Sequence, residues 1–289
     1  MDILMNYAFQ IIALGTALLA AVAAPVGALS VYKGQSLIGD AIGHATFPGV
    51  VLAFMAFSTR SPAVLLVGAM AAAAVTFFAI QAAHENTRVG LNANLAVFLS
   101  GFFGLGMVLK SFIQGNEAYR GASQAGLETY IFGQAAYMLE ADVKLIAFVA
   151  ALCAALLFAF YKELKVFVFD AEYARAVGLP VRLLQVLLPF LTIAVIGIGI
   201  KAVGAILISS FLIIPCVAAS QWSDDFAHVL FLSAVIGVVA ALAGTYVSTL
   251  EQGMSTGPSI ILAASAIAFL SMFFGKRGAF RKRGRREEA

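Results

Sequence analysis

Charge is what this chain has least of. Of its 289 residues only 11% are Asp, Glu, Lys or Arg, whereas 62% are apolar and the mean hydropathy is +0.97. A soluble domain draws roughly 25% of its residues from the charged set, so a water-facing exterior cannot be assembled from this composition. Cysteine is almost missing as well. Cys153 and Cys216 both lie inside apolar runs, which excludes a disulfide scaffold and a CxxC metal pair. No Gly-x-x-x-x-Gly-Lys-Ser/Thr phosphate loop occurs, so the chain has no nucleotide motor of its own and is not expected to be an enzyme. His84-Glu85-Asn86-Thr87-Arg88 has Arg88 where a zincin needs its second histidine, which disfavours a metalloprotease.

What is present is a series of apolar runs about 20 residues long, the length a helix needs to cross a bilayer. Lipid offers the backbone no hydrogen bonds, so spanning segments are helices or closed barrels, and runs without strict alternation specify helices. The fold class is therefore all-α: a polytopic membrane protein with about nine spans, eight to nine allowing for re-entrant pieces. They are read at 7–31, 37–58, 62–83, 91–113, 143–161, 181–200, 203–219, 227–249 and 255–274. Asp2 precedes the first run and no basic segment does, so that run reads as a span and not as a signal peptide. A shorter apolar patch, Tyr130-Ile131-Phe132-Gly133, fits an interfacial or re-entrant turn. The division is a transmembrane domain over 1–275, with an inner loop at 162–180, and a basic tail at 276–289.

Seven of the eighteen Lys and Arg residues fall in the last fourteen positions, from Lys276 to Arg286. With nine spans and this tail inside, thirteen basic residues lie on the inner side and five on the outer. The positive-inside rule then sets the N-terminus outside and the C-terminus in the cytoplasm, and it reads the tail as a membrane anchor and not as a nucleic-acid arm.

One carboxylate breaks the apolar pattern. Asp40 lies in Gly39-Asp40-Ala41-Ile42-Gly43-His44-Ala45, at the head of the second run, and His44 follows one helical turn later. An ionisable group costs about 3 kcal/mol near the bilayer centre on insertion scales, so such residues face a cavity or a partner. A carboxylate and an imidazole at this spacing can reach one divalent cation of borderline softness. The residues alone leave three readings open: metal passage, an Asp–His staple within the helix, or a proton relay. Gly39 and Gly43 make a small-residue face that admits another backbone, and Pro48-Gly49 is expected to loosen the helix beyond His44. His84 and His228 stand at span ends, where a solvated histidine is ordinary.

The inner loop predicts a helix that is not a span. Asp170 is a good N-cap, Glu172 suits the positive helix start, Gly178 suits the C′ position and Pro180 stops the helix, giving two turns with Tyr173 and Val177 on one face and Arg175 at the side. So short a helix needs something to pack on. It would lie on the bilayer or dock into a soluble partner.

These segments resemble the membrane permease subunits of bacterial ABC importers for zinc, manganese and iron. The likeness is carried by Gly39 to Ala45 followed by Pro48-Gly49, Tyr130-Ile131-Phe132-Gly133, the Phe169 to Pro180 loop, Val203-Gly204-Ala205-Ile206-Leu207-Ile208 running to Ile214-Pro215, and Thr256-Gly257-Pro258. The resemblance implies a bacterial inner-membrane permease, working as a homodimer or paired with a related permease. It also implies a cytoplasmic ATP-binding subunit and an extracytoplasmic metal-binding lipoprotein as partners, with no nucleic acid. Asp40 and His44 would line the path of a transported Mn, Zn or Fe ion, with no cofactor permanently bound. Asp170, Glu172, Tyr173, Arg175 and Gly178 would form the coupling helix that docks on the ATPase. The stretch Leu99 to Gly106, with Gly126-Leu127-Glu128 and Phe132 to Ala136, leans toward the manganese and iron branch. Relatives carry an aspartate shortly before the Thr-Gly-Pro motif, whereas here the nearest acid is Glu251. Two rivals remain: a proton-coupled secondary transporter, and a permease for a metal chelate such as a siderophore or cobalamin.

Overall fold

The computed structural model describes residues 6–59, 61–119, 127, 133, 135, 138–250 and 254–278, leaving aside the side chains at 118 and 201. Glu251, most of the 126–136 stretch including Tyr130, Ile131 and Phe132, and the tail beyond Gly278 lie outside the described residues. The helices are α1 (Tyr7–Tyr32), α2 (Ile38–Phe57), α3 (Pro62–Asn86), α4 (Leu91–Gly115), α5 (Glu140–Ala159), α6 (Tyr161–Phe169), α7 (Ala171–Ala176), α8 (Val181–Ala219), α9 (Phe226–Ser248) and α10 (Thr256–Phe274). Nine segments among the described residues are long and apolar enough to span a membrane, with α8 supplying two, Val181–Ile200 and Ala202–Ala219.

The break in α8 falls at Gly204, just inside the second of these two segments, where φ of 82° and ψ of 165° are non-helical. A side chain is strained there, and glycine is not. The chain folds back at this point. Leu188, Pro189 and Thr192 line a small cavity with Ser30, Gln35 and Ile38, while Leu212 packs on Gly27 and Gly39. In one straight helix Thr192 and Leu212 would stand about 30 Å apart and could not both reach the junction of α1 and α2. Gly133, at φ 75°, lays its backbone against Val203 and Gly204 at the reversal.

Helix ends differ from the sequence reading where a local side chain intervenes. The fifth span starts at Glu140, because the Asp142 carboxylate accepts from the Leu139 N–H at 3.1 Å and stabilises an earlier start. It stops at Ala159, and after a break at Phe160 the chain resumes as α6, in sequence read as loop. Its periodicity explains this: Leu164, Phe167 and Val168 are buried on one face, while Lys162 and Lys165 keep the segment too polar to be a span.

Two ends of the bundle can be told apart. At one, the Tyr7 hydroxyl donates to Glu140 at 3.3 Å. At the other, the α1–α2 turn, α6, α7, the α8–α9 loop and the end of α10 come together, and Arg277 pairs with Asp224 while its N–H donates to Gln221 O at 3.1 Å. α1, α2 and both halves of α8 are the most buried spans, and α3, α4, α5, α9 and α10 surround them.

Candidate functional site

The site is set by how α2 enters the bundle. After Tyr32 the chain turns through Gly34, and the turn is closed by Gly34 N–H to Val31 O at 3.0 Å, Gln35 N–H to Ser30 O at 2.8 Å and Ile38 N–H to Gln35 O at 3.0 Å. Gln35 and Ile38 lie level with Leu188 to Thr192 of α8 and not with its first residue, Val181. At 1.5 Å per residue that carries the head of α2 about 10–16 Å inward from the start of α8. Asp40 sits in the first turn of α2, where the positive end of the helix favours a carboxylate.

His44 Nε2 and Asp40 Oδ1 are 3.5 Å apart, with side chains 19% and 31% exposed. That separation exceeds a good N–H···O bond, so the pair is not tightly stapled. It does suit a shared cation: two atoms each ~2.1 Å from one ion are ~3.4 Å apart at a tetrahedral angle. Phe103 of α4 sets its ring edge-on to the imidazole, with centroids 5.2 Å apart and planes at 81°, and so fixes one side of it. No group of three or more His, Cys, Asp or Glu side chains is gathered anywhere among the described residues. Among the described residues the pair therefore offers two ligands.

The other flank of α2 is made of close contacts. A Cβ at Gly43 would come 3.2 Å from Ser209 Oγ and 3.8 Å from Ala205 O, and one at Gly39 would come 2.6 Å from Leu212 Cδ1, so both glycines face the second half of α8. Ser209 is buried and donates to Ala205 O at 2.9 Å. Gly49 faces Gly68 and Ala72 of α3, and the Pro48 ring meets Gly106 of α4. α2 nevertheless runs unbroken through Pro48 to Phe57, contrary to the loosening expected there. Packing on three sides holds the helix, and the break in this region falls at Gly204 instead. Proline still removes one bond, since residue 48 has no N–H to give the His44 carbonyl.

α7 carries the second group of residues. The Asp170 side chain accepts from Tyr173 N–H at 2.8 Å as the N-cap. At the other end Gly178 N–H donates to Arg175 O at 3.1 Å and Leu179 N–H to Ala174 O at 3.0 Å, with Gly178 at φ 81°, which is a Schellman closure. Ala174 is buried, and Glu172, Tyr173, Arg175 and Val177 are exposed. The helix thus presents an apolar and charged surface at the end of the bundle away from Tyr7.

His84 is exposed in the last turn of α3. His228 Nδ1 lies 2.8 Å from Asp225 Oδ2 at the start of α9, and the Ala227 N–H and His228 together hold the Asp225 carboxyl below the usual carboxylate range. Sequence reasoning gave no role to Phe103 or Ser209. A signal for Ser209 exists in the Ala205–Ser209 small-residue spacing, which matches that of Gly39 and Gly43. For Phe103, one phenylalanine among many, none does.

A model described as the ABC 3 transport family matches residues 5–275. The chain is 37% identical over 265 residues to a manganese transport system membrane protein, MntC, of Bacillus subtilis (strain 168), covering 91% of this chain and 60% of that protein's length. It is 34% identical over 275 residues to a zinc transport system membrane protein, TroC, of Treponema pallidum (strain Nichols), covering 95% and 91%. Among solved structures, PsaBC from Streptococcus pneumoniae in complex with Fab superposes with a TM-score of 0.81 at 25% identity, covering 99% of this chain and 97% of the other.

Proposed function

The chain belongs to the ABC 3 transport family, and from that premise we propose that it is the membrane permease of an importer that passes a divalent transition metal, with ATP hydrolysed by a separate subunit. The observation that carries the metal reading is the Asp40–His44 pair, 3.5 Å apart in an otherwise apolar helix and loosely enough held to open around an ion. Two ligands make a weak site, which suits an ion that must also leave. A homodimer, or a pair with a related permease, would bring a second set to the same path. Names of the relatives speak for manganese and zinc in those proteins, and manganese, zinc and iron are the candidates here.

In this reading the bundle forms one permease domain over 1–275, with 276–289 as a basic tail. The end carrying α7 faces the cytoplasm of a bacterium across its inner membrane, in agreement with the excess of Lys and Arg on that side. α7 docks on the ATP-binding subunit through Asp170, Glu172, Tyr173, Arg175 and Gly178, and a metal-binding lipoprotein delivers the ion to the opposite end. The chemistry asked of the chain is desolvation: Asp40 neutralises part of the ion's charge, His44 replaces part of its hydration shell, and Phe103 holds the imidazole ready.

The test is radiometal uptake into proteoliposomes that hold the permease and its ATP-binding subunit, supplied with the metal-binding lipoprotein, with manganese, zinc and ferrous iron compared. Uptake should require ATP, persist with an uncoupler, and fall in Asp40→Asn and His44→Ala variants that reach the membrane at normal levels. Uptake abolished by the uncoupler in ATP-replete vesicles would establish proton coupling instead. Wild-type uptake in both variants would remove the proposed ligands.

A further inference from the structure

We propose that three aromatic rings, Tyr32, Phe169 and Phe226, form the joint through which movement of α7 reaches Asp40; this rests on the reading of α7 as the helix that docks on the ATPase. Phe169 is the last residue of α6 and stands one position before Asp170, the N-cap of α7. Its ring lies edge-on to Tyr32 at 5.6 Å and to Phe226 at 5.3 Å, and Tyr32 and Phe226 are edge-on to each other at 5.2 Å. The three rings close a triangle that ties α6 to the end of α1 and the start of α9. Tyr161, at the head of α6, stacks on Phe226 at 6.3 Å with planes 15° apart, so both ends of this nine-residue helix are fixed to the same ring. Beside the triangle, the Lys33 ammonium sits 4.3 Å from the centre of the Phe167 ring.

From Tyr32 the path to the site is short. The next five residues are the hydrogen-bonded turn that opens α2, and Asp40 stands eight positions after Tyr32. Edge-to-face rings have a preferred geometry, and close-packed interiors transmit displacement with little compression. A tilt of α7 therefore pushes Phe169 against Tyr32, and Tyr32 moves the turn and the first turn of α2 as one piece. A second route runs from α7 through Pro180 into α8 and reaches Gly43 by way of Ser209. The ring triangle, with Lys33 on the Phe167 ring beside it, joins α6 to the end of α1 and to the α1–α2 turn next to Asp40 without passing along a whole span. None of the three aromatic residues is a metal ligand or, in this reading, a docking residue, so their role is positioning.

The measurement is the number of metal ions transported per ATP hydrolysed, in proteoliposomes of the permease with its ATP-binding subunit supplied with the metal-loaded lipoprotein, alongside metal binding to the purified permease–ATPase complex by calorimetry with Mn2+ as the probe. Tyr32→Leu and Phe226→Leu should bind Mn2+ as the wild type does, hydrolyse ATP, and transport about fivefold fewer ions per ATP. Tyr32→Phe, which keeps the ring, should restore the wild-type ratio. Lys33→Gln, which leaves all three rings in place and should not impair assembly, is expected to lower the ratio by about twofold. A wild-type complex without metal-dependent ATP hydrolysis overturns the reading of α7 and this joint with it. A coupled wild type whose leucine and Lys33→Gln variants keep the wild-type ratio overturns the joint alone.

Discussion

α2 and α4 are both apolar helices of membrane-spanning length, and they are used in opposite ways. In α2, 67% of the most apolar stretch is buried within the chain; in α4 the figure is 11%. α2 is closed in by glycine contacts to α8, α3 and α4, and it holds the Asp40–His44 pair. α4 turns most of its surface outward and gives the site a single aromatic edge, from Phe103. Hydrophobicity does not separate two such helices, because lipid is as apolar as a leucine side chain. Small residues do, since they decide which backbones can approach. An ionisable pair is then tolerable on the helix whose neighbours shield it from lipid.

The comparison can be broken first at its tightest contact. Gly27 of α1 lies against the Leu212 backbone, and any Cβ there would overlap the Leu212 carbonyl. Gly27→Val should cost at least about 3 kcal/mol as an overpacked core position and leave little folded protein. A detergent-solubilised yield and melting temperature equal to wild type would show that α1 and α8 are not packed as described. Next in size is the polar pair. Asp40→Asn and His44→Ala should each reduce uptake at least about tenfold with the fold intact, as loss of a metal ligand does. Gly106→Ala comes third: its Cβ would crowd Phe47 and Pro48, and a loss of about 1–3 kcal/mol is expected. That loss should appear as a lower unfolding midpoint.

The spans were legible because crossing a bilayer fixes length and polarity together. Lys201, inside an otherwise continuous run, even marked the division of α8 between residues 200 and 203, although nothing local announced that the chain reverses at Gly204. α7 was legible for a different reason: Asp170, Gly178 and Pro180 act on backbone groups within a turn of themselves, so neighbouring residues suffice to specify them. α6 was missed because its helical form depends on burying Leu164, Phe167 and Val168 against other helices. Asp40 and His44 could be picked out by their rarity and spacing. Phe103, Ser209 and the Tyr32–Phe169–Phe226 triangle could not, as each owes its position to contacts between residues far apart in sequence.

A smaller effect concerns a region neither helix touches. Asp225 caps α9, and the Ala227 N–H, then His228, hold its carboxyl below the ordinary value. A depressed carboxyl stabilises the fold above its unfolded-state pKa, near 3.9, and loses that contribution as pH falls through the folded-state value. Asp225→Ala should therefore lower the melting temperature by about 1–3 °C at pH 7, with the gap closing at acid pH. A gap that stays constant with pH would assign the loss to the capping hydrogen bond itself and not to the charge on the cap.

The sharpest control has the least expected effect, and it lies on α4 itself. Gly101 and Gly104 have open space where a Cβ would go, in contrast to Gly106, five and two residues further along the same helix. Gly101→Ala and Gly104→Ala should leave uptake and unfolding unchanged, or raise stability slightly, because alanine is the better helix former by about 1 kcal/mol. The same substitution type on the same helix then separates the face that meets α2 from the face that leaves the chain. If a bulkier change, Gly104→Leu, also leaves assembly intact, the outward face of α4 meets fluid lipid. Should it split a two-permease assembly while each chain remains folded, that face is an interface between permeases, and the low burial of α4 belongs to the isolated chain and not to the working complex.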